Sequence, residues 1–243
     1  MRFRAWSIRY IHWFGIASVM LIVGGAVIAA IGFNVHGDSY SFLKYNISKL
    51  GSPHRSPWAP VFNTALMIGG PLMALFVAGV GSIVGGRLFQ FIAWIGVVAS
   101  LATGFIGVYP SGPGSFAGHI VAALFCFHGT MALGYAFSVW IFSSNQTILP
   151  KWLMWPALSS CVFALLFILS VPLHYLRIAP RWLMQPTTAG GDTILRWVST
   201  FEWLVLFSIL SWVLMTALVL YKRQLEGAFT PAPELVEAYS EAE

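Results

Sequence analysis

Charge is scarce in this 243-residue sequence: charged residues make up 9% of the chain and hydrophobic residues 58%. A soluble globular domain carries about 25% charged residues, so this chain has too little polar surface to be a soluble domain. Its mean hydropathy of +0.78 and its long uncharged runs predict a polytopic membrane protein. Its two cysteines both lie in apolar runs, which excludes a disulfide-rich scaffold.

Acidic residues are almost missing before the C-terminal tail. Residues 1–225 contain all 13 Lys and Arg but only three acids, Asp38, Asp192 and Glu202. The cations stand mostly singly near the ends of apolar runs, where Lys and Arg reach toward lipid headgroups. Nucleic-acid binding requires a basic patch or stripe instead. The sequence therefore predicts membrane lipids as partners and no nucleic acid.

Six apolar runs are each long enough to cross a bilayer core of about 30 Å, which needs roughly 20 helical residues. They cover residues 11–33, 61–84, 88–108, 118–142, 152–174 and 198–221. We therefore expect an all-α fold, a six-transmembrane-helix bundle over residues 1–225. The remaining residues, 226–243, form an acidic tail whose composition is typical of a mobile segment.

The distribution of Lys and Arg favours an orientation with both termini in the cytoplasm. The N-terminus is basic, and the tight loops at Arg87 and Lys151 are basic as well. In this orientation the three long loops, 34–60, 109–117 and 175–197, lie on the non-cytoplasmic side together with most of the residues that could do chemistry. We expect a multi-pass protein of a bacterial cell membrane with one working face.

One interpretation of this face is a metal site that activates water for a hydrolase or transferase acting on lipid. The candidate ligands are His54, His119, His174 and Asp38. The chain has no HExxH motif and no paired-cysteine spacing, and each ligand would come from a different segment. We therefore expect no metal, although zinc stays open as an alternative.

A second interpretation is a site for a lipid headgroup, since Lys and Arg side chains bind phosphate at membrane surfaces. The candidate lipid-binding residues are Lys49, Arg55, Arg177 and Arg181. A third interpretation is purely structural, with these groups capping helices and contacting interfacial water.

Two ionisable residues lie inside the apolar runs. Glu202 is about one turn inside the sixth run, where an unpaired acid costs a few kcal/mol, and Arg177 or Arg181 is its expected partner. His128 lies about 14 Å from the start of the fourth run at 1.5 Å per residue. A histidine at this depth ligates a pigment or haem iron, or it donates a hydrogen bond to a neighbouring helix.

Short motifs resemble a prokaryotic six-helix membrane family of unknown function. Asn46-Ile47-Ser48-Lys49-Leu50-Gly51 followed by Val61-Phe62-Asn63 is similar to its I-S-x-L-G … F-N signature. The segment 104–110, His119 at the start of the fourth helix and Glu202-Trp203 resemble further elements, and Ser111 replaces an acid common in related sequences. The family is distantly similar to DRAM-like membrane proteins. The resemblance implies six helices and a site near Ser48, His119 and Glu202, which are the candidates if the protein is catalytic, and it supplies no reaction.

From these patterns we expect a protein that binds a lipid headgroup or a lipophilic partner at its non-cytoplasmic end, without a cofactor. Whether it is an enzyme is not decided by the sequence, and binding is favoured. The alternatives are a membrane-embedded metal-dependent hydrolase or transferase, and an accessory subunit packed against other membrane subunits.

Overall fold

The computed structural model describes residues 2–34, 39–112, 114–144, 148–175 and 197–226, and this part of the chain is all-helical. Six long helices follow one another in the chain: α1 Arg2–Ile31, α2 Ala59–Val84, α3 Arg87–Val108, α4 Phe116–Ser143, α5 Met154–Tyr175 and α6 Trp197–Leu225. Two short 3₁₀ helices, Ile47–Gly51 and Lys151–Leu153, lie in the connections before α2 and α5.

Each of the six helices is long and apolar enough to cross a membrane, as the sequence predicts. The boundaries agree to within a few residues except at α1, which begins at Arg2 rather than at residue 11. The apolar part of α1 begins only at Tyr10. Helical hydrogen bonding therefore continues beyond the apolar run, which marks only the part that crosses the bilayer. Residues 227–243, interpreted from the sequence as a mobile tail, lie outside the described residues.

The helices form a ring in chain order. Each helix packs against the next one in the chain, and α1 packs against α6. Neighbouring helices are antiparallel, so α2, α4 and α6 all begin at one end of the bundle, which we call the long-loop end. The turn between α2 and α3, at the opposite end, consists of Gly85 and Gly86 with φ of 74° and 81°. This left-handed backbone favours glycine.

Small residues allow the closest helix contacts in the ring. A Cβ atom on Gly70 of α2 would lie 2.5 Å from the backbone nitrogen of Gly104 in α3. On the other side of α2, a Cβ atom on Gly69 would lie 2.7 Å from the Ile22 side chain of α1. Such close packing replaces the hydrophobic effect as the force that holds helices together within lipid.

An aromatic cluster fills the interior of the ring in the half that is remote from the long-loop end. Trp212 of α6 contacts Phe76 of α2 and Phe137 of α4 with ring centroids 6.4 Å and 5.1 Å away. Both contacts are edge-to-face, a geometry that aromatic pairs favour. All three side chains are almost completely buried. The other half of the interior is less completely filled, and this is where the candidate site lies.

Candidate functional site

A cavity runs through the ring from the long-loop end toward the aromatic cluster. Helices α1, α2, α3, α4 and α6 and the 3₁₀ helix at residues 47–51 line it. The volume of the cavity that is open to the centre of a water molecule is about 80 Å³. Along α4 the lining extends from His119 to Leu133, which is about 21 Å at 1.5 Å per residue. The cavity is therefore long and narrow.

The polar and apolar groups of the lining are unevenly distributed along the cavity. Ser48, His119 and Glu202 lie at the long-loop end, and Thr103 and Cys126 lie next along it. Ser100 and Thr130 follow deeper in the cavity, and the far end is lined by apolar side chains and by Trp212, whose buried indole N–H forms no hydrogen bond. The cavity therefore matches an amphiphilic molecule with one polar end and one apolar chain, both in shape and in polarity.

Glu202 is the most unusual residue of the polar end, because its side chain is only 5% exposed. Its carboxylate accepts a hydrogen bond of 3.0 Å from the backbone N–H of Ile47. The Ser48 backbone N–H and the side chains of Ser48 and Asn46 also hydrogen-bond to it. A carboxylate has about four acceptor positions, so these four donors occupy all of them.

These donors all come from the 46–51 segment, which comprises Asn46 and the 3₁₀ helix Ile47–Gly51. The Glu202 carboxylate therefore occupies the position of an N-terminal cap on that helix, where a negative charge is favoured. The sequence predicts Arg177 or Arg181 as the partner of Glu202, and both lie outside the described residues. Within the described part of the chain, the partners of Glu202 are these hydrogen-bond donors of the 46–51 segment.

Further hydrogen bonds attach the 46–51 segment to three other elements. Ser199 Oγ of α6 donates to Asn46 Oδ1 at 2.6 Å. Ser111 Oγ, between α3 and α4, donates to the Ser48 carbonyl at 2.7 Å. Asn63 Nδ2 of α2 donates to the Gly51 carbonyl at 3.0 Å. The sequence motif that includes Asn46 and Asn63 therefore forms a polar network that fixes this segment over the end of the cavity.

An aromatic group supports the same segment from the loop side. Trp203 Nε1 donates to the Tyr40 hydroxyl at 2.8 Å, and that hydroxyl donates to the Tyr45 carbonyl at 3.0 Å. Burial raises the pKa of the Tyr40 hydroxyl well above its ordinary value, and the neighbouring Glu202 charge raises it further. The Lys49 ammonium lies 5.2 Å from the centre of the Tyr45 ring, within cation–π range.

The side chain of His119, in the first turn of α4, is oriented by a hydrogen bond to the backbone. Its Nδ1 donates a hydrogen bond of 2.8 Å to the Tyr109 carbonyl at the end of α3. Because a carbonyl only accepts, Nδ1 carries a proton, and in the neutral ring Nε2 is then an acceptor.

Cys126 and Thr103 line the cavity although no sequence pattern marks them as site residues. The Thr103 hydroxyl lies 3.3 Å from the Cys126 Sγ, and Thr130 also hydrogen-bonds to this thiol. No motif marks these residues, since a Cys or Thr inside an apolar run has no sequence signal. Only the packing of α3 against α4 shows that they face the cavity.

The three residues selected as catalytic candidates, Ser48, His119 and Glu202, line the same cavity. Their shared role as a site stays a prediction. Among the candidate lipid-binding residues, Lys49 and Arg55 are half-buried in the connection before α2. Arg177 and Arg181 lie outside the described residues.

The candidate metal and haem residues are scattered where the structure describes them. His54 is exposed in a loop, and Asp38 and the His174 side chain lie outside the described part. In that part no three His, Cys, Asp or Glu side chains are close enough to hold a metal ion. His128 is exposed on α4 and donates from Nδ1 to the Leu124 carbonyl at 2.9 Å, so it faces away from the interior of the ring.

Comparison with known proteins finds no matching family model, no matching curated protein and no matching solved structure. The resemblance to the six-helix family and to DRAM-like proteins therefore stays a prediction from the motifs. Six membrane-spanning-capable helices indicate that the chain is a multi-pass membrane protein, and its functional assignment depends on the cavity and its polar end.

Proposed function

We propose that this protein binds a single-chain lipophilic molecule in its central cavity, with the polar head of the ligand at the long-loop end. One observation carries the proposal: a narrow cavity inside the bundle has polar groups at one end and apolar groups at the other. Ligand sites of this kind are mostly apolar, with a few polar groups that fix the orientation of the ligand. Because the cavity is narrow, it suits one hydrocarbon chain rather than two.

The charges around the long-loop end support a lipid as the ligand. Lys44, Lys49 and Arg55 lie in the connection that covers this end of the bundle. Their positive charge places this end at the level of the lipid headgroups, toward which Lys and Arg side chains reach, so lipids have access to it. We also propose, from the distribution of Lys and Arg, that this end faces away from the cytoplasm of a bacterial cell and that both termini are cytoplasmic.

The proposal is tested by filling the cavity. Ala123 of α4 lines the cavity, and a Phe side chain at this position would occupy space that the ligand needs. Val121, two residues earlier, is 54% exposed on the other side of α4, so Val121→Phe places the same side chain on this helix without entering the cavity. Both variants are extracted in mild detergent, and their co-purified lipid is measured by native mass spectrometry.

We expect the wild type and Val121→Phe to retain a lipid at close to one molecule per chain, and Ala123→Phe to retain several-fold less. Thermal unfolding of each variant checks that the bundle is intact. Equal retention by a folded Ala123→Phe protein, or no retained lipid in the wild type, would overturn the proposal.

A membrane-embedded hydrolase or transferase is the alternative proposal, because Ser48, His119 and Glu202 line one cavity. The zinc-dependent form needs three protein ligands and a position open to water. It therefore requires about one equivalent of metal in the purified protein, with metal and activity lost together in His119→Ala. Zinc that survives washing with a chelator would favour this alternative over binding alone. The same mass spectra would reveal co-purified subunits if the protein is an accessory subunit of a larger complex.

A further inference from the structure

Most of the hydroxyl donors that line the cavity between its polar end and its middle are used by the protein itself. The Ser48 side chain hydrogen-bonds to Glu202, Ser100 Oγ donates to the Gly96 carbonyl at 2.7 Å, and Thr103 Oγ1 donates to the Ala99 carbonyl at 3.2 Å. A hydroxyl has one proton to donate and two acceptor lone pairs. These side chains therefore present acceptor capacity, rather than donor protons, to a molecule in the cavity.

His119 likewise presents a hydrogen-bond acceptor, rather than a donor, to a ligand. Its Nδ1 proton is directed to the Tyr109 carbonyl, so Nε2 is the polar ring atom left for a ligand. The side chain is half-buried and lines the cavity. A neutral imidazole with a protonated Nδ1 accepts at Nε2, and its partner must therefore donate.

Glu202 offers no further bond to a ligand at this end. Its carboxylate already accepts from the Ile47 and Ser48 backbone and from the Asn46 and Ser48 side chains. Its oxygens therefore offer no donor proton to a molecule in the cavity.

We infer that the cavity selects single-chain lipids whose head donates a hydrogen bond, namely a long-chain alcohol or amine, and that His119 Nε2 accepts this bond. The inference rests on the proposed function and adds the chemical class of the ligand. The head lies near His119, and the chain passes Ala123, Phe127 and Ile209 toward Leu133. Lipids with the same chain and an acceptor-only head, such as ethers, bind less well.

A competition experiment tests this selectivity. The purified full-length protein is equilibrated in detergent micelles with equal mole fractions of 1-hexadecanol and hexadecyl methyl ether, and it is then re-purified. The retained lipids are quantified by mass spectrometry. One hydrogen bond is expected to favour the alcohol over the ether roughly two- to ten-fold. A parallel competition with hexadecylamine distinguishes a neutral donor from a charged one.

Two substitutions at His119 separate the proposed contact from the structural one. His119→Asn keeps a donor near the Nδ1 position for Tyr109 and loses the acceptor at the Nε2 position. His119→Gln has the opposite effect, because its longer side chain places an amide oxygen near the Nε2 position. We expect the preference for the alcohol to vanish in His119→Asn and to persist in His119→Gln.

The failure of this inference differs from the failure of the proposed function. If alcohol, amine and ether are retained equally, or if His119→Asn keeps the preference, donor selectivity is wrong while binding in the cavity stands. If the protein retains none of these lipids, the proposed function fails and the inference fails with it.

Discussion

The hydrogen bonds of Glu202 predict that a single-atom change at this residue destabilises the whole bundle. Its carboxylate accepts four hydrogen bonds from the 46–51 segment. Replacing one carboxylate oxygen by an amide nitrogen in Glu202→Gln leaves a single acceptor oxygen. The new N–H groups then point at donors instead of accepting from them, although the volume of the side chain is unchanged.

The structure also gives the size of the effect. At least two of the four donors lose their acceptor, and a buried donor without a partner costs about 1–3 kcal/mol. The expected loss of unfolding free energy is therefore about 2–6 kcal/mol. For a chain of this length, each kcal/mol lowers the melting temperature by about 2–4 °C, so we expect a decrease of roughly 4–24 °C.

Glu226 provides a matched control at the opposite end of α6. Its side chain is 45% exposed and pairs with Lys222 and Arg223 at 3.8 Å and 3.4 Å. Exposed ion pairs of this kind contribute about 0–1 kcal/mol. Glu226→Gln therefore makes the same chemical change directly after the same helix, and its melting temperature should shift by only a few degrees at most.

Two assays in detergent measure the difference between the variants. Thermal unfolding gives the melting temperatures, and hydrogen exchange of peptides that cover residues 46–51 gives the local protection of the Ile47 and Ser48 amides. We expect Glu202→Gln to melt earlier and to exchange faster in these peptides. If Glu202→Gln and Glu226→Gln have the same melting temperature and residues 46–51 stay protected from hydrogen exchange, Glu202 does not hold this segment and the reasoning is wrong.

Three further predictions follow from the packing, from a loop tyrosine and from the proposed orientation. Gly70→Ala should lower the melting temperature because its Cβ would lie 2.5 Å from the α3 backbone, whereas Gly24→Ala should raise it slightly because nothing lies within 4 Å and alanine favours helix. Because the pKa of Tyr40 is raised in the folded protein, its stabilising effect is fully present below about pH 10 and decreases as the pH rises further. Tyr40→Phe should therefore weaken the loss of stability in a series of unfolding measurements above pH 10, and an unchanged pH profile would contradict this. With both termini cytoplasmic, an impermeant thiol reagent should label Ser41→Cys in intact cells and leave Ser240→Cys unlabelled; the reverse pattern would invert the orientation.

The candidate site was only partly predictable from the sequence. Ser48, His119 and Glu202 stood out because polar residues are rare in this chain and because they lie in or near short motifs. The partner of Glu202 was not predictable, since Ile47 and Ser48 lie 155 and 154 positions away and contribute backbone N–H groups, which every residue except proline has. The contribution of Cys126 depends on its contact with Thr103, across the interface between α3 and α4.

The sequence by itself determined the number of helices and their approximate bounds, because a bilayer requires continuous apolar runs of about 20 residues and the chain contains six of them. It also determined that polar residues gather at one end of the bundle, since alternate connections between antiparallel helices return to the same side. Only the tertiary structure decided that the helices close into a ring, with α1 against α6, and that a cavity remains between them. These features depend on which faces of the helices meet, and helices that are apolar all round carry little periodic signal to specify a face.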